Sequence, residues 1–181
     1  MKKILSYLII TVAATSALLA REPVSSKKVV APAEDCRFHA NEWQVDVAVV
    51  GAAGTFQGSP SESIGGNFGI NYFFTQYLGV GVDNSVSGYG TPSSIKASDR
   101  LQADLLFRYP ICSWNLAPYV MVGGGASWDA ATQGNGNVGG GFDYRLTHNI
   151  ALFADCRWLY GNSTAGILSS AMPRAGVRFV F

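Results

Sequence analysis

The sequence predicts an all-β protein, an eight-stranded antiparallel up-and-down β-barrel that spans a membrane. Three observations carry that expectation. From Trp43 onward apolar and aromatic residues recur at every second position, in eight bursts, which is the period of strands with two different faces. The connections between bursts alternate between short and long, as in an up-and-down meander. The charged residues of the bursts fall on the face opposite the aromatic one.

The chain of 181 residues opens with Lys2 and Lys3 ahead of the uncharged run ILSYLIITVAATSALLA. That charged, then apolar, then small order is expected of a secretory signal, residues 1–20, cleaved after Ala20 with Ala17 as the alternative. The run is shorter than a membrane-spanning helix prefers, which disfavours a retained anchor. Residues 21–41, REPVSSKKVVAPAEDCRFHAN, hold prolines and charges without a sustained period and read as an extended linker. The barrel is expected over residues 42–181.

The first burst runs from Trp43 to Phe56, with Trp43, Val45, Val47 and Val49 on one face. In the second, Ile64 to Phe74, the shared face holds Phe68, Ile70, Tyr72 and Phe74, and the third, Leu78 to Gly88, begins Leu78, Val80, Val82. The fourth, Asp99 to Tyr109, alternates Leu101, Ala103, Leu105 and Phe107 with Arg100, Gln102, Asp104 and Arg108. The fifth, Leu116 to Trp128, is small on both faces around MVGGGA. The sixth, Asn137 to Leu146, opposes Val138, Phe142 and Tyr144 to Asp143 and Arg145; the seventh, Ile150 to Tyr160, opposes Leu152, Cys156 and Trp158 to Asp155 and Arg157. The eighth, Met172 to Phe181, sets Val177, Phe179 and Phe181 against Arg174 and Arg178. TQY (75–77), ICSWN (111–115) and THN (147–149) read as short turns, and the stretches near 57–63, 84–98, 129–136 and 161–171 as long loops.

Either face could line a barrel, but the charged face is otherwise Gly, Ala, Asn and Gln, poor in the Lys, Glu, Ser and Thr of a water-facing sheet. The aromatics of the other face are too bulky for the interior of eight strands. Lipid is therefore expected outside. Asp46, Asp83, Arg100, Asp104, Arg108, Asp143, Arg145, Asp155, Arg157, Arg174 and Arg178 are expected inside, as an ion-pair network that closes the lumen. Most of them fall nearer the short-turn end, and Glu62, Lys96, Asp99 and Asp129 are assigned to loops or a strand start.

A signal, eight alternating strands, alternating turn lengths and the ending VRFVF make the chain resemble the small outer membrane β-barrels of Gram-negative bacteria, in particular the outer membrane protein A-like transmembrane domain. The resemblance covers roughly residues 42–181, without a C-terminal peptidoglycan-binding domain, so cell-wall tethering by that route is not implied. It implies an outer membrane location with both termini periplasmic, surroundings of lipid and lipopolysaccharide, and a monomer. It also implies that Val177, Phe179 and Phe181 are the signal read by the barrel assembly machinery. Cys36 and Cys112 then share the oxidising periplasmic side, which makes them the candidate disulfide, although spacing alone does not fix connectivity. Cys156 falls on the lipid face as a small apolar residue.

No catalytic residue, cofactor or metal site is expected. GNGNVG (134–139) matches a dinucleotide-binding pattern literally, but crosses from a loop into a strand instead of opening a helix. The two histidines, His39 and His148, both lie at the periplasmic end, away from where barrel enzymes that remodel lipid A act, and are too sparse for a metal centre. Near-neutral net charge without a basic cluster excludes nucleic acid as a partner. The function expected is a structural barrel acting in envelope integrity or through its extracellular loops. A narrow channel, an adhesin or ligand binder using Tyr89, Trp128 and Asn162, and a soluble lipocalin-like binder are the competing readings.

Overall fold

The computed structural model describes residues 36–56, 59–91, 94–128, 132–163 and 166–181. The expected signal, residues 1–20, and the expected linker up to residue 35 lie outside them. Eight strands follow in chain order: β1 (Glu42–Phe56), β2 (Ser59–Phe73), β3 (Leu78–Thr91), β4 (Ser94–Arg108), β5 (Leu116–Trp128), β6 (Thr132–Arg145), β7 (Ile150–Ser163) and β8 (Gly166–Val180). Each pairs antiparallel with the next, and β8 pairs with β1, from Gln44↔Val180 to Phe56↔Leu168, closing the barrel. The eight-stranded meander is therefore as the alternation predicts. We call the end where β1 begins and β8 finishes the lower end.

The faces also separate as the parity predicts. Trp43, Val47, Phe68, Val82, Phe107, Val122, Phe142, Trp158 and Phe179 are exposed on the outer wall, as is Cys156. Aromatic rings gather at two heights. Trp43 and Tyr72 stack at 4.8 Å between centroids near the lower end, with Phe74 beside Tyr72 at 6.3 Å; Trp128, Trp158 and Tyr160 stand toward the upper end. Two such rings of aromatics are what a membrane interface selects.

The upper end corrects the sequence reading. The expected long loops are absent among the described residues, because the ladders continue until Phe56 pairs Ser59, Thr91 pairs Ser94, Trp128 pairs Thr132 and Ser163 pairs Gly166. Ser, Gly and Asn runs lack the apolar contrast that marks a strand inside lipid, yet backbone pairing needs no such contrast once a hairpin extends beyond it. Glu62 and Asp99, assigned to a loop and a strand start, lie within β2 and β4 on the outward parity. There Asn84 donates to Asp99 at 2.6 Å, a polar contact on the outer face. Lys96 lies in β4, and Tyr89 and Asn162, read as loop residues, lie in β3 and β7. GNGNVG lies wholly within β6, and Asp129 lies outside the described residues.

The lower end carries short connections as expected, the one between β4 and β5 containing a 3-10 turn at Cys112–Trp114 that closes on Asn115 at φ 52°. A second difference lies here. Residues 36–41 do not leave as a free linker but fold under the barrel, with Phe38 only 1% exposed.

Inward glycines make room for side chains that a narrow barrel could not otherwise hold. A Cβ at Gly141 would stand 2.2 Å from the Ala154 carbonyl oxygen and 2.4 Å from the Asp155 Cβ; one at outward Gly136 meets only the Gly123 carbonyl, at 3.9 Å. Gly141→Ala is thus expected to destabilise the barrel by about 1–3 kcal/mol through overpacking. Gly136→Ala is expected to stay within about 0.5 kcal/mol. Guanidinium unfolding of both variants in detergent, followed by heat-dependent gel mobility, makes the comparison; equal midpoints would contradict a tightly filled lumen.

Candidate functional site

The lumen is the chemically distinctive part of the molecule. All eleven charged residues assigned to it from the sequence are buried there: Asp46, Asp83, Asp104, Asp143, Asp155, Arg100, Arg108, Arg145, Arg157, Arg174 and Arg178. Left as that set, the interior would carry one arginine in excess. The residue missed is Glu42, 3% exposed, the first of β1. Among the described residues the buried charges are then six acids and six arginines. Its signal was in the sequence: Glu42 shares the parity of Gln44 and Asp46, but the first aromatic, Trp43, set the expected strand start.

At the lower mouth Glu42 Oε1 accepts from Arg108 Nη1 at 2.8 Å and from Arg145 Nη2, while its Oε2 accepts the His39 amide at 3.2 Å. Arg108 also donates to the carbonyls of Gln76 and His39. Its guanidinium lies 3.8 Å over the Phe73 ring. The Phe38 ring stands 5.2 Å from Arg108 and 4.7 Å from Arg145, so one ring serves two cations.

Above it, Arg178 grips Asp46 with a two-pronged pair, Nε to Oδ1 and Nη2 to Oδ2, both at 2.7 Å, and reaches Asp143 at 3.0 Å. Asp143 lies 3.3 Å from Arg145, which joins this layer to the mouth. Arg174 grips Asp155 in the same forked way, at 2.8 and 2.7 Å, and Tyr119 donates its hydroxyl to Asp155 at 2.6 Å. Asp83 accepts from Arg157 at 2.8 Å and pairs with Arg174 at 3.2 Å; Arg157 also stands 3.3 Å from Asp104. Asn137 bonds to both Asp104 and Gln102. Higher still, Arg100 lies 3.9 Å from the Met172 sulfur, beside the apolar cluster of Val50, Ala52, Leu159 and Met172.

Forked arginine–carboxylate pairs of this kind fix geometry as well as charge. Such a lattice fills the interior with buried, paired charges. His39 and His148 line a small cavity of about 250 Å³ at the lower end together with Asn41, Glu42, Asn149 and Phe181. No group of three or more His, Cys, Asp or Glu suited to a metal ion occurs among the described residues. Cys36 and Cys112 are joined, with sulfurs 2.03 Å apart, tying the segment before β1 to the β4–β5 turn. Val177 and Phe179 lie on the outward face of β8, and Phe181, just beyond the strand, is 74% exposed.

Removing one partner from a buried pair leaves the other charged and unsolvated. Asp46→Ala is expected to cost about 3–5 kcal/mol on that ground, because Arg178 then loses its forked partner and keeps Asp143 as its carboxylate among the described residues. The double variant Asp46→Ala, Arg178→Met is expected to cost less than the sum of the two single changes. Unfolding in lipid of all four proteins measures the coupling, and additive costs would show that the pair is not coupled.

No family model matches the chain, and no curated protein matches it in sequence. Solved structures do match in fold. Neisserial surface protein A superposes with a TM-score of 0.66 at 18% identity, covering 76% of this chain and 96% of its own. Ail, the attachment invasion locus protein of Yersinia pestis, gives 0.59 at 14%, covering 78% and 99%. A de novo designed transmembrane β-barrel gives 0.56 at 21%, covering 78% and 97%. The chain therefore has the fold of the small eight-stranded outer membrane β-barrels.

Proposed function

We propose that the chain is a structural outer membrane β-barrel of a Gram-negative envelope, non-catalytic and monomeric, with a closed lumen. In this reading the lower end, with both termini, faces the periplasm, and the upper hairpins face outward. The observation that carries it is the inversion of the usual arrangement: a wall of exposed aliphatic and aromatic side chains around a buried lattice of charges. Water outside would favour the opposite arrangement, and lipid favours this one. Lipid and lipopolysaccharide are the partners of the wall. The outward Val177, Phe179 and Phe181, at the end of β8, suit a role as the assembly signal.

The upper hairpins then support envelope integrity or contact with the surroundings. Ail has been crystallised with the heparin analogue sucrose octasulfate, but a sulfated ligand is not the reading favoured here. The upper stretches 57–63, 84–98, 129–136 and 161–171 contain one lysine, Lys96, and the acids Glu62 and Asp129, where a polyanion calls for a basic cluster.

The protein is expected to partition into detergent, to migrate differently on a gel before and after heating, and to pass no current in a planar bilayer. On intact cells a tag placed at residues 57–58 or 164–165 should be labelled from outside, and one ahead of Cys36 should not. Recovery in the aqueous phase as a soluble monomer would sink the membrane assignment, steady unitary currents the closed lumen, and outside labelling of the tag ahead of Cys36 the orientation.

A further inference from the structure

The segment before β1 crosses the lower mouth of the barrel. It starts at Cys36, bonded to Cys112 between β4 and β5, and ends at Asn41 against the start of β1. In a ring of eight strands in sequential order, β1 and β5 lie on opposite sides, so the segment spans the opening. Between its two anchorages Phe38 hangs into the lumen against Arg108 and Arg145, and Arg37 Nη1 donates to the carbonyls of Arg145 and Leu146. Tyr72 donates to Asn41, whose φ of 58° turns the chain up into β1.

The balance of forces on this segment is uneven. Ordering its six residues gives up backbone and side-chain freedom at each, yet only Phe38 is buried, while His39, Ala40 and Asn41 are exposed. Water at an open mouth could replace the hydrogen bonds of Arg37 and His39 at little net cost. It cannot replace the covalent tie, which keeps Phe38 at a high effective concentration over its site.

We propose that residues 36–41 form a strap latched by Cys36–Cys112, and that reducing this bond with a dithiol releases Phe38 and admits water to the Glu42, Arg108 and Arg145 cluster. In the exchange, a thiolate of the dithiol attacks one cysteine sulfur and the other leaves as a thiolate that takes up a proton. The second sulfur of the dithiol then displaces the first cysteine, which is protonated in turn. The dithiol departs as its own disulfide, two electrons having passed to Cys36 and Cys112. Cys156, on the outer wall of β7, takes no part.

The strap regulates the same lumen that the functional reading holds closed and rests on that reading, so the test reads the two separately. The full chain carrying para-fluorophenylalanine at position 38 is folded in lipid nanodiscs, and its fluorine resonance is followed with a water-soluble gadolinium chelate. Gel mobility reports the barrel, and bilayer current reports the lumen. In the oxidised protein the label should be protected. After dithiothreitol, its relaxation enhancement should rise several-fold with barrel mobility unchanged, and Cys36→Ser should show the exposed state without reductant. A label that stays protected after full reduction, one already exposed in the oxidised protein, or loss of barrel mobility on reduction would each overturn the latch. Bilayer current in the oxidised protein would instead overturn the closed lumen.

Discussion

The rest of the structure depends on the requirement that a lumen too narrow for bulk water must be electrically neutral. Eight strands enclose just enough room for side chains, so each buried guanidinium needs a carboxylate within reach or costs several kcal/mol. Among the described residues the buried charges balance at six of each, Glu42 completing the set, and Arg108, Arg145, Arg157, Arg174 and Arg178 each stand against a carboxylate. Other choices follow from it. Glycine at 123, 139 and 141 yields the space that Asp104, Arg157 and Asp155 occupy. Aromatic rings that do point inward, Phe73, Tyr119 and Phe153, lie against Arg108 and Arg178 and give the cations a polarisable surface. With the polar work done inside, the wall is free to be apolar.

How far the sequence reveals this differs from one feature to the next. Strand order, parity and the inward charges are legible because the two faces of each strand differ sharply, apolar outside and polar inside. The pairs Asp46 with Arg178 and Asp155 with Arg174 become legible once register is known, since they sit directly opposite on neighbouring strands. Arg157 with Asp83 does not, because β7 and β3 face each other across the lumen and their meeting depends on tilt and stagger. The upper hairpins were read as loops because nothing in GSPSES or NSVSGYGT contrasts one face with the other. For the segment before β1, the Cys36–Cys112 tie is expected from their shared end of the barrel, but the fold-back of residues 37–41 is not, because the burial of one aromatic, Phe38, leaves no period in the sequence.

A designed barrel shares this fold, so closure of eight strands satisfies backbone hydrogen bonding in sequences of quite different origin, and fold alone names no function. Beyond the lumen lattice, the two ends of the barrel differ from each other. The lower end is closed by a covalently tied strap over a charged mouth. The upper end continues as paired strands past the apolar wall, with few charges and only two or three residues between partners. A rim built that way presents backbone already ordered by its ladders, so a partner that docks there loses little conformational freedom in the protein. With so little charge it also gains little from long-range steering. Any docking at such a rim would therefore depend on shape and short-range hydrogen bonds more than on charge.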